Sequence, residues 1–286
     1  MTTFIEGLQR LLKTGDQLPT LPTVVFQLHA ALDDENVTTS QVAAIIERDV
    51  ALTARLLRAA NSAAFARGPG QVTTVSAAIQ RLGLSQVRSL CLVLAVVQAF
   101  GRGRGLDHEA LWAHSAAVGL VAKALWGRAG LQGPVNADDL YVAGLLHDVG
   151  LLILDQFFAA DFDAVTAGRA ELDLPLWEHE EDHLGMDHGE IGGLLLGRWG
   201  LPAPIVDAVT HHNHPQAAPA AHRNLCRVVQ AAESLCQAEP LGLGAEGPPS
   251  PSPDEALAAL GFPQSGLPEL MAELRELGAA GRDVLR

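Results

Sequence analysis

Six side chains that can bind a proton or a cation sit in stretches that otherwise read as buried. At helical spacing, His114 shares a face with Val118, Val121 and Leu125. His188 shares one with Leu184, Ile191 and Leu195, His212 with Ile205 and Ala208, and Glu233 with Cys226 and Val229. His147 and Asp148 stand side by side in AGLLHDVGLLIL, an ionisable pair inside a hydrophobic run. Burying such groups unpaired costs roughly several kcal/mol, so they either satisfy one another or hold a cation. A single histidine on an apolar face is ordinarily a satisfied core residue; the joint pattern is what points to a site. Imidazole nitrogens and carboxylate oxygens suit Fe, Mn or Zn, and an adjacent His-Asp lets one segment offer two donors to the same ion. His108, His179, His183 and His222 lie in polar stretches and are expected on the surface, with His214 in a turn before Pro215.

Those residues need helices to position them. FIEGLQRLLK at 4–13 is amphipathic, LPTLPT at 18–23 is a break that leads into a helix, and TTSQVAAIIERD opens with a Thr/Ser cap. DVALTARLLRAANSAAF and VTTVSAAIQRLG repeat apolar residues at helical spacing, the latter stopping at Gly83. SQVRSLCLVLAVVQAF is expected to be the most buried helix of the first half, ended by GRGRG. The second half predicts helices at about 107–128, 138–149, 150–158, 161–172, 176–183, 187–198, 202–211 and 221–237. PLGLGAEGPPSPSP at 240–253 reads as a linker, followed by two short amphipathic helices. The expected architecture is all-α with two helical lobes, 1–105 and 106–240, and a linker with a helical tail at 241–286.

Composition agrees. Of 286 residues 48% are hydrophobic and only 5% aromatic, which favours helix over strand and excludes a disordered chain. The net charge of −14 argues against general binding to DNA or an anionic membrane. That charge is uneven: residues 50–105 hold seven Arg and no acid, whereas 155–190 hold eleven acids and a single Arg. Arg55, Arg58, Arg81 and Arg88 form a candidate basic strip for a phosphate or an acidic partner, against the ordinary reading of solvated surface. Three cysteines without a pairing framework, and no signal peptide, predict a reduced cytoplasmic protein, with Cys91 in the core. The longest apolar run, LCLVLAVV, is too short for a membrane span.

The run LLHDVG, followed by DHGEIGGLLLGRWGLPAPIVDAVTHHNHP, resembles the HD superfamily of metal-dependent phosphohydrolases. With RDVALTARLLRAANSAAF and VTTVSAAIQRLGLSQVRSL, it is similar to the HDOD domain, the HD-related output domain of bacterial signalling proteins, over roughly 15–238. That resemblance implies a metal set of His114, His147, Asp148, His188, the pair His211 and His212, and Glu233 in place of a late Asp. It also exposes two departures. The catalytic HD-GYP branch carries Gly-Lys after the HD pair, where this chain has Gly150-Leu151, and its GYP loop is replaced here by NHPQAAP.

Three functions compete. An output module acting on signalling proteins in trans is favoured by the HDOD resemblance, the missing Lys and the acidic stretch. A metal-dependent hydrolase of a phosphoester, such as a cyclic dinucleotide, is favoured by the full donor set. A metal- or nucleotide-sensing regulator lies between. The first predicts no assigned catalytic residue and no robust cyclic-dinucleotide phosphodiesterase activity. Asn61 reads as a helix-end cap rather than a catalytic group, GRGRG as an interlobe linker, and Gly192-Gly193 as a site of close helix packing.

Overall fold

The computed structural model describes residues 3–15, 18–32, 34, 36–62, 65, 70–100, 104–131, 137–169, 174–238, 249–262, 269–270 and 272. Among them every regular element is helical, as the composition predicts. The first half runs α1 (Phe4–Thr14), α2 (Thr23–Leu32), α3 (Thr39–Ile46), α4 (Val50–Asn61), α5 (Val75–Leu82) and α6 (Leu84–Ala99). The second half continues α7 (His108–Arg128), α8 (Ala137–Leu146), α9 (Val149–Phe157), α10 (Ala159–Arg169) and α11 (Leu176–Leu184). It ends with α12 (His188–Arg198), α13 (Ala203–Thr210), a 3-10 turn at Pro215–Ala217, α14 (Arg223–Ala238) and α15 (Pro253–Ala259). Parts of GRGRG, of the Gly/Pro linker and of the C-terminal tail, along with Arg67, Arg102 and Arg169's side chain, lie outside the described residues.

Local chemistry sets the helix ends. Thr38, Asp49, Thr74, Asp107 and Asp187 each turn a side-chain oxygen onto an N-terminal amide of the following helix. Gly83 closes α5 at φ 84, a conformation other residues resist. Asn61 ties rather than catalyses: its Nδ2 donates to Leu57 O and Val72 O, and its Oδ1 accepts from Val72 N–H, each at 2.8 Å.

The main apolar core runs through both halves, from Leu8 to Leu270, beside a small separate cluster of Ala60, Val72 and Ala78. α7 packs along α8 and α14, α12 against α9 and α13, and α6 joins the halves by lying on α8. α1 contacts α12, and beyond the ends of both helices Trp199 Nε1 donates to Pro19 O at 3.1 Å. α8 and α9 together span Ala137–Phe157, by length and composition enough to cross a bilayer. The most apolar stretch of this span is 89% buried inside the protein, so the core accounts for the apolarity.

Several surface expectations are overturned. Within the acidic stretch, Asp155, Glu180 and Asp187 are buried at 2%, 0% and 0% exposure. Asp155 accepts from the amides of Arg104, Gly105 and Leu106 and pairs with His108, so it pins the segment before α7. Burial raises its pKa, but those amides outweigh the effect and hold it below the ordinary carboxylate value. His222 is paired with Asp207 at 2.6 Å, and His179 is buried. Arg88 bridges to Asp139 at 3.1 Å and Arg81 donates to Gly70 O at 2.7 Å, so both guanidinium groups of the expected strip have internal partners. Arg55 is half-buried and Arg58 exposed on α4.

Candidate metal centre

His147 and Asp148 form the turn between α8 and α9, and the break explains their geometry. Asp148 stands at the N-cap of α9 yet makes no side-chain cap bond, which leaves its carboxylate facing inward. α7 contributes His114 from its middle, α12 its first residue His188, the turn after α13 His212, and α14 Glu233. Glycines allow the approach. A Cβ on Gly150 would overlap His188 O, and one on Gly189 would lie 2.9 Å from the His212 ring. Gly192 and Gly193 likewise meet Val149 and Thr210, the close packing their sequence predicts.

The donors meet at the following distances. Glu233 Oε2 lies 2.9 Å from His114 Nε2 and 3.0 Å from His147 Nε2. Asp148 Oδ1 lies 3.2 Å from both His147 Nε2 and His188 Nε2, and its Oδ2 lies 3.8 Å from His114 Nε2. His188 Nε2 and His212 Nε2 are 3.3 Å apart. Asp148 thus belongs to two donor groups, one with His114 and His147 and one with His188 and His212. Adjacent donors about 2.1 Å from a common ion are separated by about 3.0 Å in an octahedron and about 3.4 Å in a tetrahedron, close to every pair here except the wider His114–Asp148 pair.

The outer nitrogens fix the tautomers. His147 Nδ1 faces Gly144 O at 2.7 Å and His212 Nδ1 faces Val209 O at 2.8 Å; a carbonyl only accepts, so both Nδ1 atoms carry hydrogen. In the neutral ring each Nε2 then presents a lone pair to the centre. His188 Nδ1 meets Glu180 Oε2 at 2.6 Å. Among the described residues, the buried His147 Nε2, Asp148 Oδ2 and Glu233 Oε2 have no aligned hydrogen-bond partner. Donors this close yet not aligned on one another fit a divalent cation of the Fe, Mn or Zn type.

The electrostatics agree. Burial lowers the His147 pKa, but the Asp148 and Glu233 carboxylates outweigh it and lift it to about 9. His188 is raised well above its ordinary value by Glu180 and Asp148 against the same desolvation. Burial and the charges of His147 and His188 hold His212 down to about 4. Asp148 and Glu233 are desolvated, yet their histidine neighbours keep both well below the carboxylate range. The centre therefore carries ionised carboxylates that demand positive charge, as protons or as a metal.

His211 does not join the donors. Adjacent residues of a turn project to different sides, and with the His212 ring turned inward, His211 lines an outer cleft of about 840 Å3. Trp177 and His214 stand in the same cleft, their rings 4.6 Å apart, and His214 Nε2 lies 2.8 Å from Glu181. Glu180 is a residue that sequence reasoning missed, because EHEED reads as a solvated run; only its spacing of eight residues before His188 hints at contact.

An all-helical fold with a His/Asp/Glu centre at the junction of α7, α8, α9, α12, α13 and α14 defines an HD-type domain. The profile of the HDOD domain matches residues 18–215, and the chain belongs to that family. It is 25% identical to a candidate phosphohydrolase of known structure from Shewanella amazonensis, with 98% of each chain covered and a TM-score of 0.79. It is 28% identical to an HDOD domain protein with unknown function from Geobacter sulfurreducens, covering 94% of this chain and 97% of that one at a TM-score of 0.71. An uncharacterized protein of Treponema pallidum is 31% identical over 210 residues, 71% of this chain but 39% of the relative's length.

Proposed function

We propose that this chain is a signal-transduction output module that works through contacts with signalling proteins in the bacterial cytoplasm. Its buried centre holds a divalent ion for structure or sensing rather than for turnover. The observation that carries this reading is the pocket over the centre. It measures about 20 Å3, room for one or two waters, and among the described residues none that lines it is Lys or Arg. Its walls are Pro175, Leu176 and Trp177 with the neutral side chains of Asn213, Gln230, Gln237 and two serines.

Phosphoester hydrolysis needs groups that stabilise charge developing on the phosphoryl and leaving oxygens, and a pocket that holds the ester in line. Leu151, at the position where the resemblance places Lys, is buried in α9 and has no proton to give. The outer cleft presents Glu181, Glu190 and Glu255, which repel a phosphate. His114, His147, Asp148, His188, His212 and Glu233 would hold the ion, which supplies Lewis acidity when bound. By binding only the folded chain it would also stabilise it.

A metal-dependent phosphohydrolase is the second reading, favoured by the six-residue donor set and by the description of the Shewanella neighbour. The deciding experiment is an assay against cyclic dinucleotides after Mn or Fe reconstitution, beside the His147→Ala, Asp148→Ala double variant. The output-module reading expects background cleavage in both. Multiple turnovers that vanish in the variant would establish the enzyme.

A further inference from the structure

The geometry points to Glu180 as a positioning residue of the centre, one that fixes the His188 ring from behind and strengthens Nε2 as a donor. The inference rests on the metal-binding reading above and adds a residue that reading does not contain. Glu180 Oε2 accepts twice from one residue, from His188 Nδ1–H at 2.6 Å and from His188 N–H at 2.8 Å. Two bonds to a single oxygen fix both the backbone and the ring of His188. They aim Nε2 at Asp148 Oδ1 and His212 Nε2, 3.2 and 3.3 Å away.

The local chain makes this arrangement. α11 carries Glu180, and Gly185, at φ 81, reverses the chain so that the end of α11 lies beside the start of α12. His188 N–H belongs to the first turn of α12, where amides lack an intrahelical acceptor and the helix dipole favours an anion. Asp187 caps that helix through Glu190 N–H, which leaves the His188 amide for Glu180.

Charge separates Glu180 from the other outer partners. His147 and His212 donate Nδ1–H to neutral carbonyls, whereas His188 faces a fully buried carboxylate. A carboxylate behind an imidazole raises its basicity toward a cation, and loss of such a partner typically weakens metal binding about 10- to 100-fold. A merely structural tie between α11 and α12 would be served equally by an uncharged acceptor of the same shape.

The test uses the full chain as wild type, Glu180→Gln, Glu180→Ala and, as control, the exposed Glu47→Gln. Zn affinity is measured by competition with a chromophoric chelator, and the His188 tautomer by long-range 1H–15N NMR on the metal-free protein. Glu180→Gln keeps shape and acceptor, so its fold should survive even where Glu180→Ala loosens α12; circular dichroism checks both. The expected result is Zn affinity reduced at least about 10-fold in Glu180→Gln, unchanged in Glu47→Gln, and a His188 Nδ1–H population reduced in Glu180→Ala. Wild-type Zn affinity in Glu180→Gln, whatever Glu180→Ala does, or an unchanged tautomer in Glu180→Ala, would overturn the assignment. A wild type that binds no Zn would defeat the metal reading, while the NMR result would still decide whether Glu180 sets the ring.

Discussion

Gly150 meets His188 without room for a side chain: a Cβ there would overlap the His188 carbonyl oxygen and lie 3.0 Å from Gly192 N. The contact couples the turn that carries His147 and Asp148 to the first residue of α12. Gly150→Ala should therefore push α9 and α12 apart, at a cost of about 1–3 kcal/mol typical of overpacked sites. Calorimetry should show a lower Tm, and elemental analysis a reduced metal content. An unchanged metal content at a lower Tm would show that the centre does not depend on this approach.

Asp155 gives the fold an acid-sensitive joint. Its folded-state pKa lies below the ordinary value of 3.8, because the amides of Gly105, Leu106 and Arg104 outweigh desolvation. The stabilisation is then fully present above the unfolded value and is lost as pH falls through the folded one. Urea unfolding between pH 6 and pH 3 should show stability dropping below about pH 4, with a shallower drop in Asp155→Asn. Parallel curves for the two proteins would contradict this.

Asn61 links the end of α4 to Val72 by a two-way bond between its amide and the backbone. Asn61→Ala should cost about 1–3 kcal/mol by leaving the partly buried Val72 groups unpaired. Amide exchange at Val72 should accelerate while metal content stays at the wild-type level. A loss of metal in this variant would give Asn61 a role in the centre beyond its tie to Val72.

The helices were legible because their signals are local. Thr38, Asp107, Asp187 and Gly83 mark ends where caps and chain reversals require those residues, and the predicted spans in the second half fall within a few residues of the observed ones. The centre was legible for a different reason: an ionisable residue on an apolar face must be buried, so His114, His188, His212 and Glu233 betray themselves. Glu180 and Asp187 stayed hidden because their neighbours are polar, and only the packing of α11 against the start of α12 buries them. His211 and His212 could not be separated by spacing, since a turn decides which of two adjacent rings faces inward. Arg81 and Arg88 looked free because their partners, Gly70 and Asp139, are distant in sequence.

The central claim is that His114, His147, Asp148, His188, His212 and Glu233 form one divalent-metal centre. It is tested most directly by metal stoichiometry, with inductively coupled plasma analysis of the protein purified anaerobically and again after incubation with Fe, Mn or Zn and desalting. At least one ion per chain is predicted for the wild type, with Tm falling when a chelator is added, and a trace level in the His147→Ala, Asp148→Ala double variant. A wild type that retains no ion under any of the three loadings, with a chelator-insensitive Tm, would contradict the account and leave the cluster as a proton-filled hydrogen-bonded core.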